Sequence, residues 1–476
     1  MKFKEYYIRE MSLEQFQFKG WKDYQNRVPM LKHGVEILKK LEKVGKAYIV
    51  GGAVRDIITG EKVPDDIDIA TNVPMDKIES LFKTHDIGKN KDFGIVVVDY
   101  KGESYEIAQF RKDGTYSDGR RPDSVSIVTS FEADASRRDF TINAMGIDSQ
   151  GNIIDYFNGT KAIKNKLIQT VGDPDARFSE DYIRMLRATR FASRLGFDID
   201  PVTKNAIIKN SSKISGIAPE RIMKEILKMA KQTGDKFADA IISLKDVGLL
   251  QYIFPEVLKM REFEHSKDTH PEGGVWDHTI AALKSNKLKD PILNLAILLH
   301  DVGKTTSRSY ENGKVRYLEH AKTGAELINK IANRMKLDNK TRKALVFSAL
   351  NHMKMHELTK MSNNKIFDLM QNDNWDVLVN VAMADSKSRG KMFKEKEWKQ
   401  IEDKIAVLTA RYKDKKSRDA IQKVVNGGLV MKLLKIKPGP RVGEVIRRTV
   451  EWILDNNINI KDTKKINTYI LDNYSK

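Results

Sequence analysis

The chain has no cysteine, which excludes disulfide bonds, cysteine-bound zinc and thiol nucleophiles. Any metal ion must therefore be held by histidine, aspartate or glutamate. No apolar run approaches about 18 residues, so we expect no membrane span and no membrane partner. The first residues contain no uninterrupted apolar segment, so we expect no signal peptide and a cytoplasmic location. No feature of the sequence points to a protein partner.

Acidic residues are few relative to basic ones. Asp and Glu number 65 and Lys and Arg number 84, which gives a net charge of +19. An excess of this size favours a polyanionic partner, most often nucleic acid, although it also serves general solubility. Charge alone does not separate tRNA from DNA or from a membrane surface. The 476 residues suffice for about two to four domains.

The residue pattern changes between residues 165 and 175. Before this point, short segments rich in β-branched residues predict strands, such as AYIV (47–50), DIDIAT (66–71) and GIVVVDY (94–100). After it, apolar residues recur at spacings of three and four, which predicts helices almost to the end. The sequence therefore predicts an α+β fold with its strands in the amino-terminal part.

Two carboxylates follow a glycine turn in the first part of the chain. Gly51 and Gly52 lie between a predicted strand and a predicted helix, where backbone N–H groups can approach a phosphate closely. Asp66 and Asp68 are two apart on a predicted strand, so their side chains share one face. This arrangement suits divalent cations between carboxylates and a substrate phosphate. Glu106, on a later strand, is a candidate third carboxylate or an ordinary charge at a strand edge.

Further polar residues follow the strands. The segment RRDFTINA begins with Arg137 and Arg138, which suit bidentate phosphate contacts, and contains Asn143, which could orient a sugar hydroxyl or a phosphate oxygen. Asp181 and Arg184 are three apart at the start of a predicted helix and would lie on one face. Such a pair either offers an acceptor and a donor to a base edge or forms a plain ion pair within the helix.

Seven of the nine histidines lie between His265 and His356. Within this region an apolar helical run ends in an adjacent histidine and aspartate. Imidazole and carboxylate groups together suit a borderline or hard divalent ion. The predicted metal ligands are His278, His300, Asp301 and Asp385. We interpret His265, His270 and His356 as surface or core residues, whereas His320 and His352 could serve a second metal or the substrate.

The motifs GGAVRD, DDIDIAT, EIAQFR, DGRRPDSV, RRDFTINAM, ARFSEDYIRMLRATRF and PERI, in this order, resemble those of class II tRNA nucleotidyltransferases and bacterial poly(A) polymerases. Together they cover roughly residues 45–255. The resemblance implies a nucleotidyltransferase (polymerase beta-like) head with a mixed sheet, followed by all-α neck, body and tail. The histidine region resembles the H…HD…D pattern of HD phosphohydrolases, which some bacterial CCA-adding enzymes carry after the body.

The resemblance also assigns roles to residues. Asp66 and Asp68 would bind the catalytic ions, expected to be Mg²⁺. Asp181 and Arg184 would read the base edge of CTP or ATP. The full set of implied nucleotide-binding residues is Gly51, Gly52, Arg55, Arg137, Arg138, Asp139, Asn143, Asp181, Arg184 and Arg187. The segment DGTYSDGRRP (113–122) matches the place where the family keeps a mobile loop.

The reaction implied is attack of a tRNA 3′-hydroxyl on the α-phosphate of CTP or ATP, with pyrophosphate leaving. The HD region implies a metal-dependent phosphodiesterase or phosphatase, with a metal of unassigned identity, that would clean RNA ends before repair. Two alternatives remain open: a poly(A) polymerase, and an RNA-end phosphohydrolase with an inactive head. The HD region and the carboxy-terminal segment favour the tRNA enzyme.

The expected domains follow the changes in residue pattern. They are an amino-terminal arm (1–30), the nucleotidyltransferase head (31–165), a helical neck and body (166–260), an HD domain (261–392) and a helical, tRNA-binding tail (393–476).

Overall fold

The computed structural model describes residues 8–10, 15–18, 20–60, 64, 66–85, 93–114, 124–264, 273–311, 314–412, 415–456 and 458–475. Its chain divides into two compact units. The first contains residues 1–229 and 236–255, and the second contains residues 230–235 and 256–476. In the part of the chain described here, no helix combines the length and the apolar character that crossing a membrane requires.

The first unit contains strands in its amino-terminal part and helices after them, which confirms the predicted α+β class. Its strands are β1 (Ile8–Glu10), β2 (Gln15–Phe18), β3 (Ala47–Val50), β4 (Asp68–Thr71), β5 (Thr84–His85), β6 (Ile95–Tyr100), β7 (Glu103–Gln109), β8 (Arg111–Asp113), β9 (Val125–Ile127), β10 (Gly146–Ile147), β11 (Asn152–Ile154), β12 (Leu167–Ile168) and β13 (Asp198–Ile199). Its helices are α1 (Trp21–Arg27), α2 (Pro29–Leu41), α3 (Gly52–Thr59), α4 (Met75–Leu81), α5 (Phe131–Ser136), α6 (Gly159–Lys164), α7 (Pro174–Glu180), α8 (Ile183–Leu195), α9 (Pro201–Asn210), α10 (Pro219–Ala230), α11 (Gly234–Asp246) and α12 (Leu250–Ile253).

Nine strands form one mixed sheet in the order β1-β2-β11-β10-β3-β4-β7-β6-β5. Strand β4 pairs antiparallel with β3 and parallel with β7. This register places Asp68 beside Val50 on one neighbour and beside Glu106 on the other. The sheet therefore brings the end of β3, where the glycine turn begins, next to two carboxylates from separate strands.

Helix α2 packs against the sheet and supplies much of the core of the first unit. Its apolar residues recur at helical spacing, and Leu31, Ile37 and Leu38 are completely buried with the sheet residues Ile49 and Tyr105. Burying side chains of this size stabilises a fold by about 1.5–3 kcal/mol each. The core fixes the sheet, and the sheet fixes the polar residues at its edge.

The second unit is helical apart from one hairpin, as far as the described residues show. The hairpin joins β14 (Arg308–Glu311) to β15 (Lys314–Tyr317). From the boundary onward the helices are α13 (Pro255–Lys259), α14 (Val275–Ser285), α15 (Pro291–Leu299), α16 (His320–Arg334), α17 (Asn339–His356), α18 (Asn363–Met370), α19 (Trp375–Ser388), α20 (Glu395–Tyr412), α21 (Lys415–Val424), α22 (Gly427–Leu434), α23 (Pro440–Asp455) and α24 (Thr463–Tyr474).

Helix α15 lies at the centre of the second unit. Asp290 caps its first turn by accepting hydrogen bonds from the backbone N–H groups of Ile292 and Leu293. The sequence PILNLAILL is apolar on nearly every side, and residues 293–299 are all buried. A helix buried on all sides carries whatever follows its last turn into the interior. His300 and Asp301 follow it directly.

Two glycines of the first unit have similar positive φ angles but different surroundings, so their substitution tests how tightly the turn at Gly151 packs. Gly151 has φ +86 in the β10–β11 turn, and a Cβ there would lie 2.4 Å from Cγ of the buried Trp21. Gly102 has φ +84, and a Cβ there would meet no atom within 4 Å. We expect Gly102→Ala to lower the free energy of unfolding by about 1–2 kcal/mol through its positive φ alone. Gly151→Ala should cost about 1–3 kcal/mol more, because it also overpacks the core.

Thermal unfolding of the two variants beside the parent protein measures the difference. The matched φ values make Gly102→Ala the control for backbone strain. Equal losses in the two variants would contradict the packing of Trp21 against this turn.

Candidate functional site

Three carboxylates of the first unit, those of Asp66, Asp68 and Glu106, lie close together, and nearby positive charge balances them only in part. Burial, together with Asp66 and Glu106, raises the pKa of Asp68 to about 6, and Arg138 opposes this only in part. Burial and Asp66 also raise the pKa of Glu106. Asp66 itself is exposed. Carboxylates that repel one another in this way are suited to hold a divalent cation.

The glycine turn faces these carboxylates. Gly51 has φ +69 and lies between β3 and α3, a conformation that favours glycine. A Cβ on Gly51 would lie 3.4 Å from Nη1 of Arg138 and 3.9 Å from Oδ2 of Asp68. The first turn of α3 therefore opens toward a carboxylate and a guanidinium. An anion bound at this turn would meet backbone N–H groups and Arg138 together.

A connected set of polar side chains lies behind the turn. Arg55 is buried and donates from Nη1 to Oδ1 of Asn143 at 2.5 Å, and Asn143 donates from Nδ2 to Asp139 at 3.0 Å. Arg187 donates from Nε to the other oxygen of Asp139 at 2.7 Å. Burial alone would raise the pKa of Asp139, but Arg187 and Asn143 outweigh it and lower the pKa to about 2. Both oxygens of Asp139 are thus engaged in holding its neighbours.

Asp181 and Arg184 do not share a helix, so that part of the sequence interpretation is wrong. Helix α7 ends at Glu180, Asp181 is extended with φ −158, and α8 begins at Ile183. One oxygen of Asp181 accepts a hydrogen bond from the N–H of Ile183, and the other accepts one from Nη2 of Arg221 at 2.7 Å. An aspartate that bonds to a nearby backbone N–H competes with helix formation, which explains the break. Arg184 pairs instead with Glu180.

The predicted nucleotide-binding residues nevertheless line one cavity of about 810 Å³. Its walls contain Gly51, Gly52, Arg55, Asp68, Arg137, Arg138, Asp139, Asn143, Asp181, Arg184 and Arg187. Asp66 lies outside this lining. Basic side chains predominate in these walls, and the acidic side chains of Asp68, Asp139, Asp181, Glu220 and Glu225 lie among them.

Sequence reasoning missed several basic residues of this cavity. They are Arg190, Arg194, Arg221, Lys224 and Lys228. Arg190 stacks over the ring of Phe191 at 4.1 Å and donates to Glu225 at 2.7 Å. The spacing of the arginines along RMLRATRFASR was the available signal, since residues three and four apart share one helix face. For Arg221 the available signal was the motif PERI, which opens α10, whereas Lys224 and Lys228 had no comparable signal.

The predicted metal ligands of the second unit are brought together as two groups. Within the described ranges, two sets of histidine and carboxylate residues place their ligand atoms within 4.8 Å of one another. They are His278, His300 and Asp385, and Asp301, His320 and His352, all buried. Nε2 of His300 lies 3.4 Å from Oδ2 of Asp301, and Nε2 of His352 lies 3.5 Å from Oδ1. Asp301 therefore lies between the two groups.

Each of the four buried histidines forms a hydrogen bond through Nδ1, its outer ring nitrogen, which lies away from the other metal ligands. Nδ1 of His300, His320 and His352 bonds to the carbonyl oxygens of Ile297, Tyr317 and Ala349 at 2.7–2.8 Å. Nδ1 of His278 lies 2.9 Å from the hydroxyl of Ser388. A nitrogen bonded to a carbonyl oxygen carries the proton, which leaves Nε2 as a lone-pair donor. This is the support that metal-binding histidines usually have.

The ring nitrogens and carboxylate oxygens that point into this cluster are suited to bind a metal ion. Nε2 of His300 and Oδ1 of Asp301 are buried and make no hydrogen bond within the described part of the chain. Burial alone would raise the pKa of Asp301, but Lys304 and His300 outweigh it and hold the pKa well below its usual range. Nζ of Lys304 lies 2.6 Å from Oδ2 of Asp301. The donor set is imidazole and ionised carboxylate, which suits divalent transition metals.

His356 was interpreted as a surface or core residue, and the structure places it beside the metal ligands. Its Nε2 lies 2.7 Å from Oδ2 of Asp385, whose Oδ1 lies 2.9 Å from Nε2 of His278. Its place four residues after His352 on α17 was the available signal. His265 and His270 lie outside the described residues, as does most of the loop predicted at 113–122.

A close backbone approach supports this centre and can be tested. A Cβ on Gly303 would lie 2.0 Å from the carbonyl oxygen of His320 and 2.4 Å from the N–H of Gly324. Gly303→Ala should therefore push α16, and His320 with it, away from Asp301. We expect the affinity for Co²⁺, followed by its visible absorption, to fall by about tenfold or more.

The control is Gly443→Ala in α23, where a Cβ would meet nothing within 4 Å. This variant should bind Co²⁺ like the parent and gain about 0.5–1 kcal/mol of helix stability. Unchanged Co²⁺ affinity in Gly303→Ala would show that His320 is not held by this approach.

Three protein-family models match the chain in succession. Residues 47–169 match the Poly A polymerase head domain, and residues 196–260 match the model described as a probable RNA and SrmB-binding site of polymerase A. Residues 274–406 match the HD domain.

Known proteins with similar sequences, and solved structures with a similar fold, include CCA-adding enzymes. The chain is 40% identical over 284 residues to the CCA-adding enzyme of Geobacillus thermodenitrificans (strain NG80-2), which covers 59% of this chain. The chain thus spans 66% of the length of that relative, just under two thirds.

Solved structures match over most of the chain. The Bacillus stearothermophilus CCA-adding enzyme in complex with CTP has a TM-score of 0.68 and 26% identity, covering 93% of this chain and 97% of that one. The Thermotoga maritima CCA-adding enzyme complexed with tRNA-CCA shares the fold, with a TM-score of 0.61 and 16% identity over 97% of this chain and 99% of that one. The chain thus carries a Poly A polymerase head domain, an RNA-binding region of polymerase A and an HD domain in succession, which confirms the resemblance to class II tRNA nucleotidyltransferases and bacterial poly(A) polymerases of the type with an HD domain.

Proposed function

We propose that this protein adds C, C and A to the 3′ end of tRNA from CTP and ATP without a template. The observation that carries the proposal is the cavity of about 810 Å³, which is lined by the glycine turn, Asp68 and a set of arginines. Its residues fit each part of a nucleoside triphosphate. The names of the similar enzymes, and the CTP and tRNA in their complexes, support these substrates.

The phosphates would bind at the glycine turn. The first N–H groups of α3 carry the positive end of the helix dipole, and Arg138 adds a guanidinium beside them. Asp66 and Asp68 would hold magnesium ions between themselves and the phosphates. When bound, these ions supply activation of the 3′-hydroxyl and neutralise charge on the phosphates. Asn143, held by Asp139 and Arg55, is placed to orient a hydroxyl or a phosphate oxygen.

Base selection would depend on Asp181 and Arg184, acting from the two sides of the helix break. A carboxylate accepts from the amino group that C and A both carry, and a guanidinium donates to the neighbouring ring nitrogen. U and G present a carbonyl oxygen at that position, which a carboxylate repels. Both side chains have protein partners here, Arg221 and Glu180, so nucleotide binding would exchange those ion pairs for base contacts.

Nucleotide incorporation tests this proposal. With magnesium and a tRNA lacking its 3′ CCA, the parent protein should add two C from CTP, complete CCA when ATP is also present, and then stop. Asp66→Asn with Asp68→Asn should lower the rate by on the order of a thousandfold or more, because stabilisation worth several kcal/mol is lost. Asp76→Asn, at an exposed aspartate of α4, is the matched control.

The alternatives give different products. Long runs of A from ATP would favour a poly(A) polymerase. No incorporation by the parent protein, in spite of intact hydrolysis at the second unit, would favour an RNA-end phosphohydrolase with an inactive head.

A second activity is favoured by the two metal-ligand groups. We propose that the HD region hydrolyses phosphoesters at damaged RNA ends, such as 2′,3′-cyclic phosphates, with divalent metal that Asp301 would help to hold. His278, His300 and Asp385 would hold one ion, and His320 and His352 the other. Bound metal supplies Lewis-acid activation of water for attack on phosphorus. Lys304 holds Asp301 ionised, and the four outer hydrogen bonds keep the imidazoles aimed inward.

Hydrolysis assays separate this activity from the first. The parent protein with Mn²⁺, Co²⁺ or Ni²⁺ should open 2′,3′-cyclic AMP, and His300→Asn should lower kcat by on the order of a hundredfold or more, since it removes a metal ligand. The Asp66→Asn/Asp68→Asn protein is the control and should hydrolyse at the parent rate. Equal activity in His300→Asn and the parent would place hydrolysis elsewhere. His352→Asn distinguishes two ions from one: with two, the measured metal content falls by one ion per chain.

A further inference from the structure

The hairpin of the second unit lies in the chain between Asp301 and His320, two members of one metal-ligand group. Strands β14 and β15 follow Asp301 in the chain and precede His320. Their antiparallel register pairs Arg308 with Tyr317 and Tyr310 with Val315. Because side chains alternate along a strand, these four residues share one face of the hairpin, and Ser309 and Arg316 share the other.

The first face is connected directly to the metal-ligand set. The carbonyl oxygen of Tyr317 bonds to Nδ1 of His320 at 2.8 Å. Nζ of Lys304 lies 5.8 Å from the centre of the Tyr317 ring and 2.6 Å from Asp301. The hydroxyl of Tyr317 donates to the carbonyl oxygen of Glu264 at 2.6 Å, which anchors this end of the hairpin.

The other end of the same face presents an aromatic ring to solvent. Tyr310 is 67% exposed, and the guanidinium of the exposed Arg308 lies 5.0 Å from its ring centre. Arg308 also lies 5.9 Å from the ring of Phe263. A single exposed tyrosine is ordinary. Here, however, the ring lies about 7 Å along the strand from the Arg308–Tyr317 pair, on the face that ends at the metal ligands.

We propose that this face of the hairpin, Arg308 and Tyr310 above all, binds the last nucleotides of a single-stranded RNA end and directs its terminal phosphate to Asp301. An exposed aromatic ring stacks on a base without regard to sequence, and an adjacent arginine contacts the backbone phosphate. The proposal rests on the proposed hydrolytic function and adds the surface that recognises its substrate: the hairpin selects an RNA end by stacking, in preference to a free nucleotide or a small diester. The net charge of +19 agrees with a polyanionic substrate.

The measured quantity is a ratio of specificities in the full chain loaded with Mn²⁺. It divides kcat/KM for a short oligoribonucleotide ending in a 2′,3′-cyclic phosphate by kcat/KM for bis(p-nitrophenyl) phosphate, which has no base. Tyr310→Ala should lower the ratio by on the order of tenfold, because a base loses its stacking partner, and Tyr310→Phe should keep it within about twofold. Arg308→Ala should lower it as well.

Arg316→Ala is the matched control. It removes the same charge from the same hairpin, but from the opposite face, where Arg316 forms an exposed ion pair with Glu311 at 3.8 Å. Its ratio should stay at the parent value. An equal fall in Arg308→Ala and Arg316→Ala would reduce the effect to general charge attraction and would overturn the proposal. So would an unchanged ratio in Tyr310→Ala.

A second measurement keeps the proposal independent of hydrolysis. An oligoribonucleotide with a 3′-terminal 4-thiouridine is cross-linked to the protein by light, and the attached peptides are mapped by mass spectrometry. Cross-links to residues 308–311 that disappear in Tyr310→Ala support binding at the hairpin even if the parent protein hydrolyses nothing. In that case the hydrolytic function fails and the binding surface stands. If cross-links are confined to the first unit while hydrolysis is intact, the proposed binding surface is overturned and the proposed hydrolytic function stands.

Discussion

Buried charge requires a partner, and both candidate sites are arranged around this constraint. In the first unit the carboxylate of Asp139 is the centre of the arrangement. It holds Arg187 through one oxygen and Asn143 through the other, and Asn143 in turn holds Arg55. Breaking a buried pair by removing one partner typically costs about 3–5 kcal/mol, so these side chains are fixed relative to one another. The cavity therefore has a preformed polar wall.

The two sites meet the same constraint in opposite ways. The carboxylates of Asp68 and Glu106 lie beside Asp66 with too little positive charge from the protein, and their pKa values are raised. Asp301 and Asp385 lie among histidines and Lys304, and their pKa values are held well below the usual range. The first site is thus suited to cations that arrive with a phosphate substrate. The second is suited to metal held by the protein itself, because hydrogen bonds at Nδ1 aim its imidazoles inward.

Close backbone approaches position the chemistry in both units. The left-handed conformation of Gly51 turns the chain from β3 into α3 beside Asp68. The contact between Gly303 and the backbone at His320 and Gly324 sets the separation between Asp301 and α16. The hairpin continues from this contact, since it leaves the turn at Gly303 and returns at His320. The same backbone contact therefore positions both the metal ligands and a substrate bound along the hairpin.

The sequence by itself determined the chemistry that depends on local spacing. The adjacent glycines and the His300–Asp301 pair after an apolar helix were readable because short-range geometry follows from covalent connection. The predicted strand face shared by Asp66 and Asp68 was wrong in detail, because β4 begins only at Asp68. The change from predicted strands to predicted helices between residues 165 and 175 likewise led to the α+β class. The resemblance of the ordered motifs added the family.

Only the tertiary structure decided which distant residues meet. The parallel pairing of β4 with β7 placed Glu106 beside Asp68, a position that the sequence left open. Arg221 reached Asp181 from another helix, and Asp181 broke the helix on which it was expected, because its side chain bonds to the N–H of Ile183. His356 joined Asp385 across α17 and α19. Such contacts depend on how cores pack and which strands pair. The spacing of His356 from His352 predicted a shared helix face, but it did not identify Asp385 as the partner.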